Sequence, residues 1–169
     1  HYGLRTFPGG RSGDPPAVEL ARSIREGLGL DVARLKTGTP PRVLARTVDF
    51  ATLQRQDPDP EPPSFSFRES PADLPRLGGD SLTQMPCYIT HSTAETAEVV
   101  RRNLHRSPMH SGRINASGAR YCPSFEDKIV RFQNRVDHTI YLEPEGAFTE
   151  EYYLNGISTS LPTDVQWAM

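Results

Sequence analysis

Proline is the residue that most limits what this chain can fold into. There are 16 prolines among 169 residues, about twice the usual share of roughly 5%, and their densest cluster lies at 57–86. Because proline fixes φ and has no amide hydrogen, it interrupts helices and central strands. The sequence therefore predicts short elements joined by turns, with an ordered excursion at 57–86 in which 65–67 (FSF) alternates like a short strand.

Composition and charge exclude several classes of protein. Only 36% of the residues are apolar and the mean hydropathy is −0.56, and no run approaches the roughly 18 apolar residues that a membrane span needs. The net charge of −2 and the pI of about 6.2 argue against a strongly basic nucleic-acid binder, although a local basic patch stays open. Two cysteines cannot form a disulfide framework, which favours a reducing compartment.

The ends of the sequence favour a piece of a longer protein. The chain begins at His1 without a signal or transit segment, and it ends at Met169, inside a helix that is predicted to start at Pro162. We therefore expect a fragment rather than a complete small domain.

Helix and strand signals alternate along the chain. The first helix is predicted with Asp14 as its cap and Pro15 in its first position, and it continues to Gly29. The remaining elements are predicted as a strand at 32–35, a buried strand at 87–90, a helix from a capping box at 92–95 to about Leu104, a short helix capped by the Ser124–Asp127 pair, and a strand at 138–143 with Ile140 and Leu142 facing inward. The sum is a mixed α/β chain.

The segment 118–128 (GARYCPSFEDK) is the strongest candidate for chemistry. Cys122 stands two residues before a predicted helix cap, where free amides and the helix dipole would stabilise a thiolate. Arg120 and Lys128 would help, whereas Glu126 and Asp127 oppose the effect. A buried structural cysteine beside a turn is the alternative interpretation of the same spacing.

Other candidates carry weaker signals. Cys87, within an apolar strand, is predicted to be a small core residue, and the histidines have no spacing typical of a zinc site, so no metal is expected. The loop 9–14 (GGRSGD) and the turn 36–42 (KTGTPPR) favour contact with phosphate only weakly. The acids of 143–145 (EPE) are interpreted as a turn with two solvated carboxylates rather than an acid–base pair.

Taken together, several of these segments resemble the MnmG (GidA) family. The resemblance runs from Gly3 to Gln166, and it is carried by 34–42 (RLKTGTPPR), 86–91 (PCYITH), 103–109 (NLHRSPM), 120–124 (RYCPS), 142–146 (LEPEG) and 155–162 (NGISTSLP). Ala119, Ala17 and His110 depart from the usual family residues, and 57–80 is longer than is typical.

The resemblance implies an FAD-dependent enzyme that modifies tRNA at the wobble uridine. Members accept hydride from NADH and, with an MnmE-type GTPase partner, install a carboxymethylaminomethyl or aminomethyl group at uridine C5, with the carbon taken from methylenetetrahydrofolate. A homodimer without a membrane anchor is implied, located in the bacterial cytoplasm or in the mitochondrion of a eukaryotic member. The fragment would cover the middle quarter to third of such a chain and would be inactive alone.

The resemblance also implies fold and site residues. The fold would be part of a Rossmann-like FAD-binding domain (1–45 and 136–169) with an inserted α/β NAD-associated domain (46–135). Cys122 would be the catalytic nucleophile, and Arg11 and Asp14 would lie near FAD or substrate. The residues associated with NAD would be Gly118, Arg120, Tyr121, Cys122, Pro123, Ser124, Phe125, Glu126, Asp127, Lys128, Ile129, Val130, Arg131 and Phe132.

Two alternatives stay open on the sequence. A non-catalytic tRNA- or protein-binding remnant of the fold would lack the upstream glycine-rich FAD loop. A folate- and FAD-dependent tRNA uridine methyltransferase relative would transfer a bare methyl group.

Overall fold

The computed structural model describes residues 1–10, 13–60, 85–118 and 121–169, which form a mixed α/β fold. They divide into two compact units, each built from separate stretches of the chain. The first unit comprises His1–Thr39, Thr93–Asp137 and Ile157–Met169, and the second comprises Pro40–Ser92 and His138–Gly156. The assignment of 1–45, 46–135 and 136–169 to FAD- and NAD-associated domains stays a prediction. The segment 65–67 and most of the predicted excursion lie outside the described residues.

The second unit is built on a five-stranded antiparallel sheet. Its strands are β2 (Arg42–Leu44), β3 (Gln54–Gln56), β4 (Cys87–His91), β6 (Thr139–Pro144) and β7 (Glu151–Asn155). They lie in the order β2-β7-β6-β4-β3. In β6 Ile140 and Leu142 are buried, which confirms the predicted alternation. The strand predicted at 87–90 is present, but it is half-buried rather than buried.

An aromatic cluster covers part of this sheet. The Phe50 ring lies 4.5 Å from the ring of Tyr88 and 5.2 Å from that of Tyr152, measured between centroids. Phe50 belongs to the short 3-10 helix Phe50–Thr52, whose cap Asp49 accepts the amide of Ala51. A second 3-10 helix, Ala45–Thr47, precedes it. These turns place Phe50 against the sheet.

Gly156 directly follows β7 and adopts a backbone conformation that other residues rarely adopt. Its φ is +100°, and a Cβ built on it would lie 2.6 Å from the carbonyl oxygen of Thr139. Both the backbone angle and the close approach therefore require glycine.

Three helices of the first unit pack around one apolar core. The unit holds α1 (Val18–Arg22), α2 (Ala94–Asn103), α3 (Phe125–Arg131) and α4 (Thr163–Ala168), with a π-helix (Ser23–Gly27) after α1, a 3-10 helix (Leu104–Arg106) after α2, and the parallel pair β1 (Leu35–Lys36) and β5 (Ser117–Gly118). α2 packs against α3 and α4. The buried apolar side chains are Ala97, Val100, Met109, Phe125, Ile129, Ile157, Leu161 and Val165. The start of α4 after Pro162 confirms the predicted position.

The beginning of the first unit differs from the prediction. α1 starts at Val18 rather than near Pro15, and Asp14 does not cap it. The reason is steric, because a residue before proline is held away from helical angles, so Pro15 and Pro16 keep the preceding backbone extended. None of the residues of α1 or of the π-helix is buried. The strand predicted at 32–35 is also wrong, since β1 is Leu35–Lys36.

The cap of α2 differs from the prediction by one residue. Thr93, not Ser92, is the N-cap, and it forms a capping box with Thr96 rather than with Glu95. Ser92 is already engaged, because its amide donates to the carbonyl of His138 and its hydroxyl accepts the amide of His138. The helix can begin only after these strand contacts end.

Candidate active site around Cys122

Cys122 lies on an exposed turn that leads into α3. Pro123 and the N-cap Ser124 separate it from the first helical residue, and Pro123 restricts the backbone next to the thiol. The alternative interpretation of Cys122 as a buried structural cysteine is therefore wrong. The thiol can be reached by a reagent or a substrate.

Ser124 and Asp127 form the predicted capping box at the start of α3. The Ser124 hydroxyl accepts the amide of Asp127 at 3.1 Å, and the Asp127 carboxylate accepts the amide of Ser124 at 3.2 Å. Ser124 is buried, so water cannot easily replace its hydroxyl. The residues that follow Cys122 are therefore held in one arrangement.

The sequence predicts that amides at the start of α3 are free to stabilise a thiolate at Cys122. In the structure, two of these amides have other partners. Phe125 donates its amide to the carbonyl of Ser158 at 2.6 Å, and the amide of Asp127 is bonded to Ser124. These two donors point at protein acceptors and not at Cys122. Stabilisation of a thiolate by free amides is thus wrong for these two positions.

Lys128 is the cation that interacts with Cys122. Burial lowers the pKa of Lys128, and the negative charge of a Cys122 thiolate opposes this lowering, with a further lowering from Arg135. The pKa of the half-buried Lys128 therefore responds to Cys122 as well as to its own burial.

Glu126 is fully buried beneath the turn, and its contacts join three segments of the chain. Its Oε1 accepts the Ser160 amide at 3.0 Å, the Ser160 hydroxyl at 3.1 Å and the Ser107 hydroxyl at 3.3 Å. Its Oε2 has no hydrogen-bond partner within the described ranges. We call Glu126, Ser107 and Ser160 the Glu126 cluster. The sequence had placed Glu126 in the NAD segment, yet its side chain faces the interior.

His110 adds a polar contact at the same end of α3. Its Nε2 lies 3.5 Å from Oδ1 of Asp127, and the two side chains are 23% and 28% exposed. Oδ2 of Asp127 is the oxygen that holds Ser124. A partly exposed imidazole–carboxylate pair therefore borders the capping box that follows Cys122.

The turn at 36–39 packs against Thr159, in the segment that follows β7 in the sequence. Lys36 donates from Nζ to the carbonyl of Met109 at 3.1 Å. A Cβ on Gly38 would lie 2.6 Å from the amide nitrogen of Thr159, and Thr39 and Thr159 exchange backbone hydrogen bonds. The ammonium proposed for phosphate contact thus has a protein partner, and Gly38 is required by the close approach.

The cations and acids of the second unit pair with each other. Arg42 donates from Nε to Glu145 at 2.9 Å and lies over the Tyr153 ring at 4.8 Å from its centroid. Glu143 accepts the side-chain amide of Asn155 at 3.1 Å. The expectation that 143–145 carries two solvated acids is wrong for Glu145, which is only 15% exposed.

Cys87 occupies a different environment from Cys122. It is half-buried in β4, and burial, with a smaller effect of Glu143, raises the pKa of its thiol. Both effects favour the neutral thiol. The prediction that Cys87 is a small core residue thus agrees with its raised pKa, although Cys87 is only partly buried.

The predicted site residues fall into three groups by exposure. Exposed are Gly118, Tyr121, Cys122, Val130, Arg131 and Phe132; half-buried are Pro123, Asp127 and Lys128; buried are Ser124, Phe125, Glu126 and Ile129. Asp14 is exposed, and its carbonyl accepts the amide of Gly10. Arg11 and Arg120 lie outside the described residues. The exposed group and Lys128 are the ones that a ligand can reach.

Other features of the described residues lie apart from Cys122. A cavity of about 660 Å³ in the first unit is lined by Tyr2, Leu4, Arg5, Phe7, Arg106, Pro162, Thr163 and Asp164, and none of the predicted site residues lines it. No group of three His, Cys, Asp or Glu side chains suited to a metal ion occurs in the described ranges. No helix among the described residues is long and apolar enough to cross a membrane.

Comparison with known proteins gives matches over the entire chain. A family model described as glucose inhibited division protein A matches residues 1–169. The structure of Aquifex aeolicus GidA in the form I crystal is 42% identical with a TM-score of 0.76, and the form II crystal gives 41% and 0.72. Each match covers 100% of this chain, which spans 28% and 26% of the two GidA chains.

Proposed function

Since the chain belongs to the glucose inhibited division protein A (GidA) family, we propose that it serves in a tRNA-modifying flavoenzyme of the GidA type. The proposed enzyme uses FAD and NADH and acts with an MnmE-type GTPase. It adds a carboxymethylaminomethyl or aminomethyl group to C5 of the wobble uridine, and methylenetetrahydrofolate supplies the carbon. It works as a homodimer in the bacterial cytoplasm or in a mitochondrion. Because the chain spans about a quarter of the GidA structures that it matches, these statements concern the whole protein.

The observation that carries the proposal is the exposed Cys122 thiol on the turn that leads into α3. Pyrimidine C5 becomes nucleophilic when a thiolate adds to C6, because the S–C6 bond forms while the C5=C6 electron pair moves to C5 and is delocalised onto the oxygen of the adjacent C4 carbonyl. After C5 has bonded to the one-carbon unit, loss of the C5 proton restores the double bond and expels the sulfur. Cys122 is suited to the first and last of these steps, since its thiol is exposed.

Part of the NAD segment fits a dinucleotide. The side chains of Tyr121, Arg131 and Phe132 are exposed, so they offer aromatic surface and a positive charge. Phe125 and Ile129 are buried and hold the helix instead. When bound, the flavin and the nicotinamide supply the hydride chemistry of the proposed reaction.

The nucleophile role is tested by Cys122→Ser in the complete FAD-loaded enzyme, with Cys87→Ser as the matched control. We expect Cys122→Ser to abolish tRNA modification while FAD stays bound, and Cys87→Ser to retain it. Nucleoside mass spectrometry identifies the product. Retained modification in Cys122→Ser would reject the nucleophile, and a bare methyl group at C5 would favour a methyltransferase relative.

The role of Lys128 is tested by Lys128→Met against Arg131→Met, which removes an exposed cation from the same helix. Alkylation of Cys122 by iodoacetamide should slow in Lys128→Met, because the thiolate loses its attractive charge. Arg131→Met should leave the rate near that of the parent protein. Equal rates in the two variants would contradict the assignment of Lys128.

A further inference from the structure

We infer that Glu126 is a positioning residue for Cys122. Its buried carboxylate fastens the first turn of α3 to the segments that carry Ser107 and Ser160, and this holds the turn that carries the thiol. The inference deepens the proposed function, and it rests on that function for the claim that the enzyme uses the thiol in its reaction. The placement of the thiol itself is argued from the contacts of the Glu126 cluster.

The first step is the unusual location of the side chain. An acidic residue in the first turn of a helix is ordinarily stable at the surface, where it faces the positive end of the helix dipole. Glu95 holds the corresponding position in α2 and is exposed. Glu126 is 0% exposed, with Ser107 at 0% and Ser160 at 5%. Its burial is therefore a property of this site and not of helix starts in general.

The second step is the hydrogen-bond accounting. The Ser107 and Ser160 hydroxyls lie 2.9 Å apart, and both lie within hydrogen-bond distance of Oε1. Two hydroxyls have two protons for these three contacts, so only two of the contacts are hydrogen bonds at one time. The amide of Ser160 supplies a further donor whose direction is fixed by the backbone. A single oxygen of Glu126 is thus within hydrogen-bond distance of three donors, the amide and hydroxyl of Ser160 and the hydroxyl of Ser107.

The third step is the cost of the arrangement. No ion pair to Glu126 occurs among the described residues, all its donors are neutral, and Oε2 is without a partner there. Leaving a buried acceptor unpaired destabilises the folded state. A packed apolar side chain would hold α3 against its neighbours without this cost. What the carboxylate adds is a directional attachment to two segments distant in sequence.

The last step connects this attachment to the thiol. Cys122 precedes Glu126 by four residues, and Pro123 and the Ser124–Asp127 box leave the backbone between them little freedom. Phe125 is bonded through its amide to Ser158, two residues before Ser160. The first turn of α3 is therefore fixed by the main chain at Phe125 and by the side chain at Glu126. Displacement of this turn would move Cys122, which directly precedes it.

The test measures iodoacetamide alkylation of the two cysteines separately, by peptide mass spectrometry of the complete protein as a function of pH. We expect Glu126→Ala to slow Cys122 by about threefold or more and to shift its pH profile, because thiolate reactivity depends on the placement of nearby charge. Glu126→Gln keeps the accepting oxygen and should restore the rate to within about twofold. Glu95→Ala is the matched control and should change neither cysteine, and Cys87 should stay constant throughout.

Three results would overturn the inference: an unchanged Cys122 rate and pH profile in Glu126→Ala, a Gln variant as slow as the Ala variant, or an equal effect of Glu95→Ala. If Glu126→Ala does not fold, Ser160→Ala decides, since it removes one hydroxyl donor and should slow Cys122 in the same direction. An unchanged rate in Ser160→Ala would then refute the role. The alkylation assay contains no tRNA. A failure of the proposed function, seen as retained tRNA modification in Cys122→Ser, can therefore be distinguished from a failure of this inference, seen as an unchanged alkylation rate.

Discussion

Removal of the α3 cap by Ser124→Ala should destabilise the protein and disturb Cys122 at the same time. The substitution deletes the hydroxyl that accepts the Asp127 amide at 3.1 Å, and the Asp127 carboxylate loses its 3.0 Å contact with that hydroxyl. Loss of a cap costs about 0.5–2 kcal/mol. Because Ser124 is only 2% exposed, water does not readily replace the hydroxyl. We therefore expect a loss of about 1–2 kcal/mol in the free energy of unfolding.

Thr93→Ala provides the matched control, since Thr93 caps α2 with the same type of box but at an exposed position. Urea unfolding followed by circular dichroism gives the stability of both variants, and iodoacetamide labelling gives the reactivity of Cys122. Thr93→Ala should lose about 0.5–1 kcal/mol and leave Cys122 unchanged. Equal labelling of Cys122 in the two variants, or a Ser124→Ala protein as stable as its parent, would refute the reasoning.

Three further predictions concern the rest of the fold. Gly156→Ala should lose about 1–2 kcal/mol or more of unfolding free energy, because a Cβ at a φ of +100° would clash with the Thr139 carbonyl. A urea midpoint equal to that of the parent protein would contradict this prediction. Hydrogen bonds from Arg106 lower the pKa of Asp164 from its ordinary value of 3.8, so the stability that this carboxylate contributes is present above that pH and is lost as the pH falls through the lowered pKa. The unfolding free energies of Asp164→Asn and of the parent protein, measured as a function of pH, should therefore converge at acid pH. A difference that stays constant with pH would count against the Arg106–Asp164 pair. Leu142→Ala in the sheet should cost about 2–5 kcal/mol, and a cost under that range in thermal or urea unfolding would show that the site collapses around the smaller side chain.

The sequence predicted those parts of the fold that depend on neighbouring residues. The Ser124–Asp127 box, the alternation of Ile140 and Leu142 and the helix start after Pro162 each arise within a few positions. The failure at Asp14 has an equally local cause, because the following prolines outweigh the capping preference of aspartate. Local signals are therefore informative where no second local preference competes with them.

The Glu126 cluster shows why part of the candidate site could not be predicted. Its contacts join residues that are 19 and 34 positions apart, and no periodicity links them. Ser107 and Ser160 stood within segments noted for their resemblance to the family, but nothing in the sequence distinguished them from surface serines. Cys122 stays a candidate on the sequence and on its exposure, whereas its surroundings depend on which amides the tertiary fold already occupies.

The division of the chain between its units has a consequence for synthesis on the ribosome. All five strands of the sheet have been synthesised once Asn155 is in place, whereas Ser160, whose amide donates to Glu126, follows later. During vectorial translation, these strands can therefore pair before the carboxylate under Cys122 receives its amide donor. A nascent chain arrested after Gly156 would hold every strand of the sheet but no Ser160 amide for Glu126.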